Sequence, residues 1–231
     1  DMTRNTISVT CLVDNTVRRG SHLWGEHGLA FLLEAGGKRL LFDTGQSGTV
    51  LLHNMKELGI DPQTIDVLAI SHAHYDHTGG LPTLLAHVRS GLPLYAHPDL
   101  FCERFSRHAS GVESIGLPLT REDLAAQTSL RLSAAALEIL PGVWWSGEIA
   151  DRPEPEGRSA HHVVRAKDGW EPDPYRDDMG IVIETSIGLT LLCGCCHAGL
   201  LNTLTHAERM LGRPVTIVCL LYTSPSPRDL S

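Results

Sequence analysis

The segment Ser71-His72-Ala73-His74-Tyr75-Asp76-His77-Thr78-Gly79-Gly80 is the most informative part of this sequence. It follows the apolar run 67–70, whose aliphatic and β-branched residues predict a buried strand. The two glycines permit a tight turn before an apolar helical pattern that begins near Leu81. The polar side chains are therefore predicted on a loop at the carboxyl end of a strand, where open α/β sheets usually place their sites.

The side chains of this loop are those that bind metal ions. Imidazole nitrogens and a carboxylate suit zinc, and they also suit iron or manganese. His72 and His74 have the same parity, so in an extended segment both side chains point the same way. Asp76 and His77 follow after the chain has begun to turn, and they can reach a second position nearby. The loop therefore predicts two metal ions rather than one.

Length and composition indicate one globular α/β domain. The chain has 231 residues, of which 42% are hydrophobic, enough for a sizeable core. It carries 19 lysines and arginines against 27 aspartates and glutamates, a net charge of -8, which disfavours nucleic acid as a partner. A small-molecule substrate, which can be phosphorylated, is the expected partner. The oligomeric state is not readable from the sequence.

The sequence shows no sign of a membrane or secretory segment. No apolar run approaches the roughly 20 residues that a transmembrane helix needs, and the first residues lack the pattern of a signal peptide. The six cysteines are not spaced like a disulfide scaffold. We expect a cytoplasmic protein with reduced thiols and no membrane partner.

The first part of the chain alternates predicted strands and helices, which favours an α/β layered architecture. Strands are predicted at 7–13, 29–34, 39–42, 66–70 and 92–96, and helices at 48–58 and 81–88. The pattern from 99 to 178 is looser. Short helices are predicted at 100–107 and 121–127, strands at 130–140 and 143–145, and long loops at 154–160 and 168–174. Such loops are either substrate-binding walls or ordinary surface loops.

The last part of the chain repeats the organisation of the metal loop. A predicted hairpin, 179–185 and 189–192, leads into Cys193-Gly194-Cys195-Cys196-His197, and a helix is predicted at 200–211. A strand is predicted at 215–218. His197 is therefore a candidate third ligand of the first metal. Cys-x-Cys-Cys lacks the spaced pairs of a structural zinc site, so Cys195 and Cys196 are interpreted as small packing or supporting residues.

His-x-His-x-Asp-His after an apolar strand resembles the signature of the metallo-β-lactamase superfamily. The resemblance implies an αββα sandwich with a one- or two-metal site at one end of its two sheets. Asp43-Thr44-Gly45, which alone is equally typical of a turn, resembles the first motif of that superfamily. The resemblance makes Asp43 a residue that hydrogen-bonds the metal loop without ligating the metal.

Further stretches narrow the resemblance to one branch of the superfamily. They occur in the order 14–16, 26–29, 42–45, 71–81, 147–149 and 194–203. They resemble the branch that includes 7,8-dihydropterin-6-methyl-4-(β-D-ribofuranosyl)aminobenzene 5′-phosphate synthase. The resemblance covers nearly all of residues 7–218 and implies metal-dependent chemistry more firmly than a substrate.

The resemblance also implies a ligand set. His72, His74 and His197 would bind one metal, Asp76 and His77 would bind the other, and Asp178 is the candidate bridging carboxylate. A final metal-binding histidine is expected near the C-terminus, and none follows His206. We expect the domain to span residues 1–218, truncated at its C-terminus, because residues 219–231 resemble a translated sequencing adapter and read as a non-native tail.

The predicted chemistry is hydrolysis by a metal-activated water. Zinc lowers the pKa of bound water to about 7, and Asp76 can orient the nucleophile or accept its proton. Two zinc ions are expected, with manganese or iron as alternatives, and the substrate is a phosphoester or ester-like molecule. A synthase-type transfer, an iron-dependent oxidoreductase and an inactive metal-binding fragment are the alternatives. No Gly-x-Ser-x-Gly, phosphate-binding or dinucleotide motif is present in the sequence.

Overall fold

The computed structural model describes residues 7–221. Within that range, the strands are β1 (Ser8–Val13), β2 (Ala30–Ala35), β3 (Lys38–Phe42), β4 (Val67–Ala69), β5 (Leu92–Ala96), β6 (Arg104–His108), β7 (Gly111–Ser114), β8 (Thr128–Leu132), β9 (Leu137–Leu140), β10 (Val143–Trp145), β11 (His162–Ala166), β12 (Gly169–Pro172), β13 (Ile181–Thr185), β14 (Gly188–Leu192) and β15 (Val215–Cys219). The α-helices are α1 (Thr49–Glu57), α2 (Tyr75–Thr78), α3 (Leu81–Leu85), α4 (Arg121–Gln127) and α5 (Leu200–Leu211). None of these helices is long and apolar enough to span a membrane.

The first sheet has six strands in the order β1-β2-β3-β4-β5-β8. Strands β1 to β3 are antiparallel neighbours, and β3, β4, β5 and β8 pair in parallel. Both faces of this sheet are buried, so its strands read as continuous apolar runs rather than as alternating patterns. In β2, for example, Leu32 faces the helices and Leu33 faces the second sheet.

The second sheet has five strands in the order β15-β14-β13-β10-β9. Its apolar side chains meet those of the first sheet in a shared core. Phe42 from β3 and Trp145 from β10 pack edge to face, with ring centroids 6.4 Å apart. Helices α1 and α3 cover the outer face of the first sheet, and α5 covers the outer face of the second. The predicted αββα sandwich is confirmed.

A third sheet lies beside the sandwich and was not predicted. It has four antiparallel strands in the order β12-β11-β6-β7. The helix predicted at 100–107 is therefore wrong, because this segment supplies β6, and the loop predicted at 168–174 contains β12. Contacts between distant residues decide both cases. Trp170 packs on Phe105 at 5.0 Å between ring centroids, and the Arg165 guanidinium lies over both rings.

The single strand predicted at 130–140 is also wrong. The structure divides it into β8, in the first sheet, and β9, in the second. A turn separates the two strands, in which the backbone N–H of Ala135 donates to the Ser133 hydroxyl at 3.0 Å. Serine hydroxyls commonly stabilise such turns, which are difficult to recognise inside an apolar pattern.

The domain boundary predicted at residue 218 falls one residue before the end of β15. Cys219 lies opposite Leu192 in the strand ladder, and Leu221 is buried between the two sheets. The rest of the predicted tail, residues 222–231, lies outside the described residues, as do residues 1–6. The interpretation of 219–231 as a non-native tail stays a prediction.

Candidate metal centre

The loop that follows β4 is held in place by the second and third sheets. The backbone N–H of Met179, just before β13, donates to the carbonyl of Ser71 at 3.1 Å, and the N–H of Tyr75 donates to the carbonyl of Ile115 at 2.9 Å. The buried carboxylate of Asp177 accepts a hydrogen bond from the N–H of Ala73 at 2.9 Å. These contacts position the histidines at the end of the sandwich.

Three imidazoles converge in a first group, which we name site 1: His72, His74 and His197. Their ring centroids lie 4.6 to 5.1 Å apart, and one nitrogen from each lies within 4.8 Å of the others. All three Nε2 atoms are buried, and none has a hydrogen-bond partner among residues 7–221. A buried nitrogen without a partner destabilises the fold. Three of them facing one another indicate a place for a cation.

Hydrogen bonds at Nδ1 prepare two of these imidazoles for ligation. His197 Nδ1 lies 3.0 Å from the Gly157 carbonyl, which can only accept, so Nδ1 carries the hydrogen. The Ser71 hydroxyl donates to Asp43 at 2.7 Å and therefore accepts from His72 Nδ1 at 2.9 Å. In both rings Nε2 is the nitrogen that faces site 1 and that would bind a metal ion.

Burial also keeps two site 1 ligands uncharged. It lowers the pKa of His72 and of His74 well below 6.5, and the neighbouring imidazoles lower both pKa values further. The two side chains are therefore neutral at neutral pH, and a metal ion does not have to displace a proton from them.

A second group, which we name site 2, adjoins site 1 and consists of Asp76, His77 and Cys195. His77 Nε2 lies 3.2 Å from Asp76 Oδ2 and 3.1 Å from Cys195 Sγ. The Cys195 sulfur lies 4.0 Å from the same carboxylate oxygen. Donor atoms of His72, His77 and Cys195 also lie within 4.8 Å of one another, so the two sites are neighbours.

The buried carboxylate of Asp43 holds His77 and the start of the metal loop in place. Asp43 directly follows β3 and has a left-handed backbone, φ 60°. Its carboxylate accepts hydrogen bonds from His77 Nδ1 at 2.6 Å and from the backbone N–H of Ser71 at 2.7 Å. Since Nδ1 of His77 donates to Asp43, Nε2 is the nitrogen that faces site 2 and that would bind a metal ion there.

The charges at site 2 favour a cation. Burial acts to lower the pKa of His77, but the charges of Cys195, Asp76 and Asp43 outweigh it and hold that pKa well above 6.5. Burial acts to raise the pKa of the Cys195 thiol, and the charge of His77 outweighs it and lowers that pKa. The protein thus stabilises positive charge at this point, which either a proton or a metal ion can supply.

Asp178 does not join either site, so its predicted role as the bridging carboxylate does not fit the structure. Its Oδ2 accepts a hydrogen bond from the backbone N–H of Ala198 at 2.8 Å, and the side chain is buried under the loop that carries His197. It therefore fixes the position of that loop. The Cys195 sulfur, which belongs to site 2, lies close to site 1 as well.

The structure also corrects the packing or supporting role that was predicted for Cys195. The loop after β14 turns its thiol toward His77, whereas Cys196 packs in the core beneath α5, as interpreted from the sequence. The signal for Cys195 was present, because it lies three residues after a strand, directly after a glycine, and two residues before His197. The packing interpretation came from the spacing of the cysteines, which does not match the spaced pairs of a structural zinc site.

A cavity of about 750 Å³ opens onto both sites. Its walls include His74, Asp76, Cys195 and His197 from the two metal loops, and residues of β6, β7 and the segment before β11. His162 of β11 lines the cavity, with its ring centroid 4.9 Å from that of His74. Sequence analysis missed His162, because it lies in the sheet that was not predicted.

Comparison with known proteins agrees with this geometry. The family model of the metallo-beta-lactamase superfamily matches residues 23–194. The chain belongs to this superfamily. Its fold is similar to that of Tm1679, a metal-dependent hydrolase of the beta-lactamase superfamily, with a TM-score of 0.79 and 23% sequence identity over 97% of this chain and 80% of that one.

Two curated relatives are similar over most of their length. A protein of Methanocaldococcus jannaschii named 7,8-dihydropterin-6-methyl-4-(beta-D-ribofuranosyl)-aminobenzene-5'-phosphate synthase is 30% identical over 215 residues, which is 89% of this chain and 73% of the relative. An uncharacterised protein of the same organism is 28% identical over 204 residues, which is 87% of this chain and 74% of the relative. The branch that the sequence motifs indicated is thus also the one with extended similarity.

Proposed function

We propose that the chain is a metal-dependent hydrolase that cleaves a phosphoester or ester-like bond of a small molecule. Site 1 would hold one zinc ion through His72, His74 and His197, and site 2 would hold another through Asp76, His77 and Cys195. The observation that carries the proposal is the convergence of three buried, unpartnered Nε2 atoms beside an open cavity. Nitrogen, sulfur and carboxylate donors favour zinc over magnesium or calcium.

The residues around the metal sites have complementary tasks. A bound zinc ion would supply a nucleophilic water at neutral pH, because it lowers the pKa of water to about 7. Although burial opposes ionisation of Asp76, the charge of His77 outweighs it and lowers the pKa of that carboxyl below its ordinary value. Asp76 is therefore a carboxylate at neutral pH, and it can orient the attacking group or accept its proton.

His162 would bind the substrate from the opposite wall. The Ser159 N–H donates to the Tyr175 hydroxyl at 3.1 Å, and that hydroxyl can donate to His162 Nδ1, which lies 2.9 Å away. The hydrogen of the ring is then on Nε2, where it can stabilise negative charge on a substrate oxygen. Burial, helped by the charge of His197, lowers the pKa of His162 to about 4, so the ring is a neutral donor.

A synthase-type transfer is the second candidate, favoured by the relative at 30% identity. In that reaction an amine would attack in place of water, and the same two sites would bind the leaving group. The cavity, at about 750 Å³, is large enough for a ligand of two or more rings. Product analysis distinguishes the two reactions, because only hydrolysis incorporates solvent oxygen.

The proposal is tested with the variant His74→Ala. We expect it to lose the site 1 metal and the hydrolysis of phosphomonoesters, phosphodiesters or lactones together, since one of three ligands is removed. Elemental analysis and an activity screen with zinc or manganese measure both effects. His87→Ala, at an exposed histidine outside the cavity, is the control. Turnover that survives in His74→Ala would refute the proposal, and stoichiometric iron with redox activity would favour an oxidoreductase.

A further inference from the structure

A fourth side chain reaches site 2 from the N-terminal part of the chain. His27 belongs to the loop between β1 and β2, and it lines the same cavity. Its Nε2 lies 3.5 Å from Asp76 Oδ2, and half of its side chain, 51%, is exposed toward the cavity. The resemblance to the superfamily implied a further metal-binding histidine only near the C-terminus.

The hydrogen bonds of His27 decide which of its nitrogens faces site 2. The backbone N–H of Gly28 donates to Asn15 Oδ1 at 3.0 Å, so this atom is an acceptor. His27 Nδ1 lies 3.3 Å from the same oxygen and must supply the hydrogen of that contact. The ring therefore turns Nε2, and not Nδ1, toward the carboxylate of Asp76.

The distance between His27 Nε2 and Asp76 Oδ2 suits two ligands of one metal ion. Ligands that share one tetrahedral zinc at 2.0–2.2 Å lie roughly 3.3–3.6 Å apart, and the separation of His27 Nε2 from Asp76 Oδ2 is 3.5 Å. The separation of His77 Nε2 from the same oxygen, 3.2 Å, is similar. A protonated His27 in a half-exposed ion pair is the alternative, and such a pair contributes little to stability.

The backbone holds His27 in this place. The N–H of Leu29 donates to the carbonyl of Asp76 at 3.3 Å. A Cβ at residue 28 would lie only 2.1 Å from that carbonyl oxygen, so only glycine allows the two loops to approach so closely. The contact between the His27 loop and the metal loop is therefore part of the fold and not a chance position of a surface side chain.

We propose that His27 is the fourth ligand of site 2 and completes the set Asp76, His77 and Cys195. The inference rests on the proposed function, because it requires that the two sites bind metal ions. It assigns the N-terminal loop a direct role in holding the second ion. The ligand chemistry, two imidazoles with a thiolate and a carboxylate, is that of a tetrahedral zinc site.

The test is a zinc titration of the metal-free protein, with the number of bound ions and their affinities measured by competition with a chromogenic chelator. The wild-type protein should bind two ions. His27→Ala and His27→Gln should keep the site 1 ion at unchanged affinity and bind the other at least about tenfold more weakly, since loss of even an outer partner of a ligand has an effect of 10–100-fold. His22→Ala, an exposed histidine of the same loop, should behave as wild type.

The outcomes separate this inference from the proposed function. Two ions bound with wild-type affinity by both His27 variants would overturn the inference and leave the hydrolase proposal standing. A wild-type protein that binds a single ion would also overturn it. A wild-type protein that binds no ion would refute the proposed function itself. Circular dichroism of the two variants checks that weaker binding does not come from misfolding.

Discussion

At the scale of single residues, the environment of each thiol decides its role. Cys195 and Cys196 are neighbours in the chain, yet the charge of His77 outweighs burial and lowers the pKa of Cys195. For Cys196, a hydrogen bond with Cys193, together with burial, raises the pKa well above 9.0. One thiol is thus prepared to be a ligand, and the other remains a packing residue.

This difference predicts selective alkylation. In the metal-free protein at neutral pH, iodoacetamide should modify Cys195, because this thiol lines the cavity and its pKa is lowered, and it should leave Cys196 unmodified. Saturating zinc should protect Cys195, since the sulfur would then be bound to metal. Peptide mass spectrometry after digestion measures both sites in one sample. Equal modification of Cys195 with and without zinc would exclude it from the ligand set.

At the scale of elements, two loops cross closely at the end of the first sheet. The N–H of Thr44, after β3, donates to the carbonyl of His77 at 2.8 Å, and the N–H of Gly80 donates to the carbonyl of Gly45 at 3.1 Å. A Cβ at residue 80 would lie 2.1 Å from the carbonyl oxygen of Thr44. The glycine therefore lets the metal loop lie against the loop that carries Asp43.

Gly80→Ala should separate these loops. We expect a loss of roughly 1–3 kcal/mol in the free energy of unfolding, as for other overpacked sites, and weaker binding of zinc. Gly59→Ala is the matched control, because a Cβ there meets nothing within 4 Å and only the positive φ of 68° opposes it. Urea denaturation and metal analysis provide the two readouts. Full metal content in Gly80→Ala would show that the crossing does not position the site.

At the scale of the whole molecule, a buried ion-pair network joins the third sheet to the sandwich. Arg104 of β6 is 1% exposed. It donates to Asp173 at 3.0 Å and to Asp177 at 2.6 Å. Asp177 also accepts a hydrogen bond from the backbone N–H of Ala73 in the metal loop. The network therefore links β6, in the wall of the cavity, to the loop that carries the candidate ligands.

Arg104→Met should destabilise the protein by about 3–5 kcal/mol, because it leaves two buried carboxylates without their partner. The loss should be smaller at acidic pH. Burial raises the pKa of Asp177 to about 7, even though the charge of Arg104 opposes this rise. Ionising the buried carboxyl therefore lowers the stability of the fold as the pH rises from 3.8, the ordinary pKa of the group, to the folded pKa of about 7. Below pH 3.8 this loss of stability is absent. Urea denaturation at pH 5.5 and pH 8 measures the difference.

The control for this prediction is Arg107→Met, since Arg107 is an exposed arginine of the same strand. Its stability should stay within about 0.5 kcal/mol of the wild type at both pH values. An Arg104→Met protein as stable as this control would show that the network does not stabilise the fold.

Local patterns predicted the metal loop and most strands and helices of the sandwich, whereas the αββα arrangement itself was implied by the resemblance of that loop to a known superfamily. The signals of the loop are local, because the apolar run of β4 and the candidate ligands His72, His74, Asp76 and His77 lie close together along the chain. Periodicity and residue type then suffice. The helix at 200–211 and the hairpin of β13 and β14 were also predictable for this reason.

Only the tertiary structure decided which distant residues meet. Cys195 faces the site and Asp178 does not, although both lie close to predicted metal loops. His27 and His162 come from segments that carry no metal-binding pattern, and the third sheet joins two hairpins through the pairing of β6 with β11, which lies far away in the sequence. Distances of this kind depend on how separate strands align, and that alignment is set by the packing of the whole core rather than by any local stretch.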